Sequence, residues 1–237
     1  MRFNAELFLQ NAEKLEMVFT DKQIEMFDKL AGMLTDRNKV LNLTAITDPD
    51  GIAVKHFADS ISITAAADLK PGTKIIDIGT GAGFPGIPLL ICAPEIDLTL
   101  LDSTNKKLNY VNDAVNALGL KARVVHGRAE DIAAKHSERE QYDYAVSRAV
   151  ALLNTLCEYC LPFVKVGGKF IAMKSEKADE EIAAAASAIK TLGGQLDEIK
   201  DIGLTDGATR KLVVIKKIAP TPSKYPRPSA QIAKQAL

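Results

Sequence analysis

Four glycines within eight positions, directly after a short apolar run, constrain this chain more than any other feature. Lys74–Ile78 reads Lys-Ile-Ile-Asp-Ile, apolar enough for a buried parallel strand. Gly79-Thr80-Gly81-Ala82-Gly83-Phe84-Pro85-Gly86 follows. Pro85 suits a helix start, because the first turn has no hydrogen-bond partner for its N–H groups anyway. Strand, glycine turn and helix N-terminus together form a cradle for a nucleotide-like cofactor. The glycines allow a sharp turn and a close approach to the backbone, and the free N–H groups of the helix start favour a polar ligand.

The reading frame of the glycines matters. Gly81-x-Gly83-x-x-Gly86 matches the text of a dinucleotide fingerprint, but that fingerprint places its first glycine at the strand end, here Gly79. Reading from Gly79 gives Gly-x-Gly-x-Gly with Asp77 two residues before it, which resembles the first motif of S-adenosylmethionine-dependent methyltransferases. A second apolar strand, Leu98–Leu101, ends in Asp102-Ser103. A carboxylate there accepts hydrogen bonds from two ribose hydroxyls, which suits NAD and S-adenosylmethionine equally.

Residues 1–70 read as a helical cap. Thr20-x-x-Gln23 is a capping box, with Ile24, Phe27, Leu30, Ala31 and Leu34 behind it at helical spacing. Asp48-Pro49 starts another helix carrying His56, Asp59 and Ser60. Residues 71–219 alternate strand and helix, which predicts a parallel sheet covered on both faces. Strands are expected at Ala122–His126, Tyr142–Val146 and Phe170–Met173, with helices over Leu108–Leu118, from Leu153 to Gly167-Gly168, and over Ile182–Leu192. Leu196–Ile202 and Leu212–Ile218 have too short a loop between them for a helical crossover and should pair antiparallel. The expected fold is α/β: a Rossmann-like sheet of parallel strands ending in an antiparallel hairpin. Residues 220–237 read as a basic, proline-containing tail.

Composition excludes several classes. With 30 basic and 30 acidic residues, no global field draws the chain onto nucleic acid. Its basic residues are unevenly placed, however: Arg210 to Leu237 holds seven Lys or Arg and no acid, which suits phosphate contacts. Three cysteines and no N-terminal apolar run predict a reducing cytoplasm, and no stretch approaches a membrane span of about 20 residues. Cys157 and Cys160 read as small apolar filler, and no metal is expected.

Ligands of open α/β sheets sit at the carboxyl ends of the strands. Ala129-Glu130 lies there and frames an adenine, unless Glu130 caps the helix beginning at that point. Arg148 stands where a substrate would meet the cofactor, and Lys174 ends the next strand. His56 reads as a packed, hydrogen-bonded histidine in contact with the cofactor or substrate edge. Ser147-Arg148-Ala149-Val150 replaces the Asn/Asp-Pro-Pro-aromatic turn typical of exocyclic-amine methylation, and no cysteine is placed as a nucleophile.

Arg37–Ile46, His56-x-x-Asp59-Ser60, Asp77–Ile87, Ser147-Arg148-Ala149 and Tyr225-Pro226-Arg227 occur together in order. In this set the chain resembles the bacterial 16S rRNA guanine-N7 methyltransferase family RsmG, or GidB (glucose-inhibited division protein B), over nearly its whole length. The resemblance implies S-adenosylmethionine as cofactor and 16S rRNA of the small ribosomal subunit as partner; a monomer in the cytoplasm is expected beside it. It implies cofactor contacts at Gly79, Phe84, Ala129, Glu130 and Arg148. Beside these, the cradle reading places Asp77, Gly81, Gly83, Asp102 and Ser103. Arg148 and Lys174 are expected to orient or electrostatically hold the reactants, without a general base. Arg37, Lys39, Arg210, Lys224 and Arg227 are expected at the RNA. Rival readings are a small-molecule methyltransferase and a non-enzymatic rRNA-binding assembly factor.

Overall fold

The computed structural model describes residues 2–176 and 178–237. Its elements run α1 (Ala5–Lys14), α2 (Asp21–Leu41), α3 (Pro49–Gly51), a π-helical stretch Ile52–Ala58, α4 (Asp59–Ile61) and a 3-10 turn Ser62–Ala65. Then follow β1 (Lys74–Ile78), α5 (Gly86–Cys92), β2 (Asp97–Asp102), α6 (Asn105–Ala117), β3 (Arg123–His126), α7 (Ala129–Ala133), β4 (Tyr142–Arg148) and α8 (Leu153–Cys160). A 3-10 turn Leu161–Phe163, β5 (Val164–Ser175), α9 (Asp179–Ala184), α10 (Ala186–Thr191), β6 (Gly194–Gly203), β7 (Thr209–Lys217) and α11 (Ser229–Lys234) complete the chain.

The seven strands form one sheet in the order β3-β2-β1-β4-β5-β7-β6. Every neighbouring pair is parallel except those made by β7, which runs against both β5 and β6. The parallel sheet with an antiparallel end is the expected architecture. Successive residues of β1 bury into opposite layers, Ile75 with the N-terminal helices and Ile76 with α8 and α10, as the period of two in a strand requires.

The N-terminal helices form where the sequence placed them. Thr20 and Gln23 make a reciprocal capping box, and Asp48 caps the turn that starts at Pro49. Phe8, Phe27 and Phe57 form an aromatic cluster with Phe3, and Phe57 reaches the cradle at Phe84, 6.1 Å between centroids. The core is continuous from Phe3 to Val214, so the helices of residues 1–70 share one hydrophobic layer with the sheet.

Two expected elements differ. The helix from Leu153 ends before Gly167-Gly168, because Pro162 removes a helix hydrogen bond and the chain enters β5 at Val164. The two glycines lie inside β5 at a register shift against β4, where a Cβ on Gly168 would meet Asp143 O at 2.5 Å. The helix expected at Ile182–Leu192 begins at Asp179 and breaks at Ala185 into α9 and α10.

The C-terminal tail is docked against the body of the protein. Residues 220–228 carry no regular structure, as the prolines predict, yet Thr221 and Tyr225 are buried and so is Ile232 of α11. Arg139 donates to the carbonyls of Tyr225 and Thr221 at 2.8 and 2.6 Å. Lys217, fully buried, donates to Leu161 O and Thr221 Oγ1 at 2.7 and 2.6 Å, and burial lowers its pKa to about 8. The Arg227 guanidinium is bidentate on Glu158, a carboxylate with no solvent exposure. A buried carboxylate stripped of its partner is expensive. Arg227→Met should therefore cost about 3 kcal/mol of stability, read from the urea midpoint of unfolding. A loss under about 0.5 kcal/mol would mean the pair is dispensable.

Candidate cofactor and substrate cleft

β1 lies next to β4 in the middle of the sheet, and its one carboxylate organises the turn above it. Asp77 is fully buried, and its Oδ2 accepts from Thr80 Oγ1 at 2.7 Å and from Gly86 N at 2.9 Å. It thereby satisfies an otherwise unpaired N–H at the start of α5. Burial pushes its pKa up to about 6 against the pull of those two hydrogen bonds. A Cβ on Gly86 would stand 2.3 Å from Leu100 Cδ2 and 2.9 Å from Asp77 Oδ2, so a side chain here would displace Leu100 and the Asp77 carboxylate. Asp77 and Gly83 shape the turn from behind and do not line the cleft.

The cleft at the strand ends holds about 560 Å³. Gly79, Gly81 and Phe84 from the turn, Asp102 and Ser103 from the end of β2, Ala129 and Glu130 from α7, and Arg148 from the end of β4 all line it. These eight expected residues are thus brought together. Asp102 accepts from Gly81 N at 2.9 Å and Thr104 N at 2.8 Å, so one carboxylate joins the glycine turn to the second strand end. A Cβ at Gly81, whose φ is +58°, would meet nothing closer than Gly79 O at 3.9 Å. The turn therefore opens its backbone directly onto the cleft, as close approach of a ligand requires.

At the other end of the cleft lies a paired cluster. Arg148 donates to Asp59 Oδ2 at 2.8 Å and to Lys55 O at 3.0 Å, and its guanidinium lies 5.4 Å from the Phe84 ring centre. Arg210 reaches Asp59 Oδ1 at 3.3 Å. His56 stacks on Phe84, with centroids 4.7 Å apart and planes 6° from parallel. Its Nε2 lies 2.9 Å from Thr44 Oγ1, and its Nδ1 lies 3.4 Å from Arg148 Nη2. Arg148 can only donate, so Nδ1 accepts and the proton sits on Nε2. Burial, then the neighbouring Arg148 charge, lowers the His56 pKa to about 3.

Lys174 does not line the cleft. Its Nζ donates to Ala151 O and Glu181 Oε2, both at 2.7 Å, and so fastens the segment that follows Arg148. Ala149 to Ala151 of that segment do face the cleft, and Val150 rests against Gly79, where a Cβ would come within 2.4 Å of Val150 Cγ2. Among the expected RNA residues, Arg37 pairs with Asp113, Lys39 with Asp36, Arg210 with Asp59 and Asp206, and Arg227 with Glu158; Lys224 lies over the Tyr225 ring. Sequence reasoning missed Thr44, Lys107, Arg128, Val150 and Tyr159 as lining residues. Thr44 lay inside the Arg37–Ile46 block, Val150 inside the turn after β4 and Arg128 next to Ala129-Glu130, whereas Lys107 and Tyr159 carried no local signal.

A Gly-x-Gly-x-Gly turn at the switch point of this sheet, with an acidic end on the next strand, defines an S-adenosylmethionine-dependent methyltransferase, and the open Gly81 backbone and Asp102 fit that cofactor. The sheet is similar to that of a SAM-dependent O-methyltransferase from Thermotoga maritima, with a TM-score of 0.52 at 16% identity, covering 78% of this chain and 71% of that one. Residues 23–213 match the GidB family model, described as rRNA small subunit methyltransferase G, and the chain belongs to that family. It is 48% identical to a ribosomal RNA small subunit methyltransferase G of Pelotomaculum thermopropionicum, over 94% of each chain. It is 47% identical to the protein so named from Alkaliphilus oremlandii, over 98% of each.

Two outcomes follow from this geometry. Gly81→Val puts a β-branched residue at positive φ and a side chain into the cleft, so S-adenosylmethionine affinity should fall at least tenfold in calorimetry while the fold persists. Unchanged affinity in a folded variant would remove the turn from the site. His56 should stay neutral from pH 8 to pH 5, with its ring resonances flat in an NMR titration. Because its folded pKa is depressed, the unfolded chain binds the extra proton first. The His56 contribution to stability is therefore complete above about pH 6.5 and is lost as pH falls toward 3. A midpoint near 6.5 for His56 would contradict its burial.

Proposed function

We propose that this chain transfers a methyl group to N7 of a guanine in 16S rRNA of the small ribosomal subunit. When bound, S-adenosylmethionine supplies an electrophilic methyl group on sulfur. Guanine N7 carries a free lone pair, so the acceptor needs no deprotonation. What supports the reading is the character of the acceptor end of the cleft. His56, the residue there most like a base, has a pKa of about 3 and is a poor one at neutral pH. Buried Cys160 and Cys157, their thiols pushed up by desolvation, are no nucleophiles for carbon methylation. The chain's own contribution is to hold the acceptor in line, and proximity supplies most of the acceleration. Arg148, fixed by Asp59 and Lys55 O, is the group that orients the guanine or the cofactor carboxylate. Lys174 acts on it indirectly, through the Ala151 carbonyl.

Phosphate contacts divide by what the cation would have to give up. The Arg37 and Lys39 pairs are on the surface, where solvent screens them, so a phosphate displaces their carboxylates cheaply. Lys224 has no ion pair among the described residues. Arg227 is tied to a buried carboxylate, and Arg210 sits between Asp59 and Asp206, so both belong to the architecture before the RNA. A monomer in the cytoplasm remains part of the proposal, and the three free cysteines favour a reducing compartment.

Reverse-transcription or mass mapping of N7-methylguanine in 16S rRNA tests the assignment. One guanine should lose its methyl group in a strain lacking the chain, regain it with the wild-type chain, and stay unmethylated with Gly81→Val. An rRNA modification pattern identical with and without the chain, together with methyl transfer to a metabolite in vitro, would favour the small-molecule reading.

A further inference from the structure

The docked C-terminal segment reaches the cofactor cleft from behind. Ser229, the first residue of α11, donates its hydroxyl to Glu130 Oε1. Glu130 is 4% exposed and lines the cleft, and Ser229 is its hydrogen-bond partner among the described side chains. Its carboxylate does not cap α7, whose start at Arg128 has no side-chain cap. The position of Ser229 is set from outside. Arg227, two residues earlier, is held by the buried Glu158 of α8, and Arg139 grips the backbone at Thr221, Pro222 and Tyr225. Tyr159, next to Glu158 on α8, lines the same cleft.

We propose that Ser229 is a positioning residue that aims the Glu130 carboxylate at the exocyclic amino group of the cofactor's adenine, making the C-terminal segment a strap for base specificity. The inference rests on the reading of this cleft as an S-adenosylmethionine site with Glu130 at the adenine. A carboxylate only accepts hydrogen bonds, so it favours an amino group at that position and disfavours a carbonyl. A glutamate on the first turn of a helix has several rotamers, and holding it in one reduces the entropy lost on binding. The second oxygen, free of Ser229, is the one left for the ligand.

Calorimetry on the full-length chain, with S-adenosylhomocysteine and with S-inosylhomocysteine, in which oxygen replaces the amino group, tests this. The wild-type chain should prefer the adenosine form at least tenfold. Ser229→Ala should weaken that form about fivefold, leave the inosine form unchanged and keep the thermal midpoint; Ser229→Thr, which retains the hydroxyl, should restore the preference. In a Glu130→Gln background Ser229→Ala should change nothing further. Full discrimination in Ser229→Ala, equal loss for both ligands, or an undiminished effect without Glu130 would each overturn the strap while leaving the cofactor assignment standing. A wild-type chain that binds neither ligand, or both equally, would overturn the underlying reading of the cleft and the strap with it.

Discussion

A single buried carboxylate underlies the cleft. Asp77, one residue before the end of β1, caps the start of α5 through Gly86 N and fixes the glycine turn through Thr80. Leaving a charged oxygen in a dry interior is costly, which is visible in its raised pKa, and the two hydrogen bonds offset only part of that cost. The geometry follows from the cost: Gly86 must approach without a Cβ, and Gly79, Gly81 and Gly83 must carry the chain through positive φ over a very short path. Asp102 then anchors the same turn from the neighbouring strand. Two carboxylates thus hold the turn, one from below and one from the side, and only the second lines the cleft.

The N-terminal helices complete the cleft chemically as well as sterically. Phe57 carries their aromatic cluster to Phe84, and Phe84 is the platform shared by His56 and Arg148. The cation over the ring and the neutral imidazole against it are compatible because Asp59 neutralises Arg148 from the helical side. Protonating His56 would place a second positive charge beside Arg148, which is one reason its pKa falls so far. The two ends of the cleft therefore come from different parts of the chain, the sheet supplying one and the helical region much of the other.

What was legible in the sequence was local. The capping box at Thr20, the helix start at Asp48-Pro49, the glycine frame beginning at Gly79 and the antiparallel end of the sheet depend on neighbours within a few residues, and all appear as read. Gly167-Gly168 misled because two glycines read alike at a helix end and at a strand bulge; the deciding contact, Asp143 O, lies on β4 and is invisible locally. The packing of the tail was out of reach for the same reason, at longer range. The run from Arg210 to Leu237 read as basic and suited to phosphate, and the acids that meet two of its cations sit far upstream: Glu158 for Arg227 and Glu140 for Lys217. Lys174 likewise ends a strand at the correct edge of the sheet, yet Glu181 and the Ala151 carbonyl turn it away from the cleft.

The neutral charge balance then acquires a structural meaning. In a chain with equal numbers of acids and bases, many cations here serve as internal fasteners, and the field at the cleft depends on which of them stay unpaired. Lys55, Lys107 and Arg128 lie at or beside the cleft and have no ion pair among the described residues. A phosphate meeting them need displace only water, whereas one meeting Arg227 must leave Glu158 charged and buried alone. These three cations would thus be available to a nucleic-acid backbone that meets the cleft.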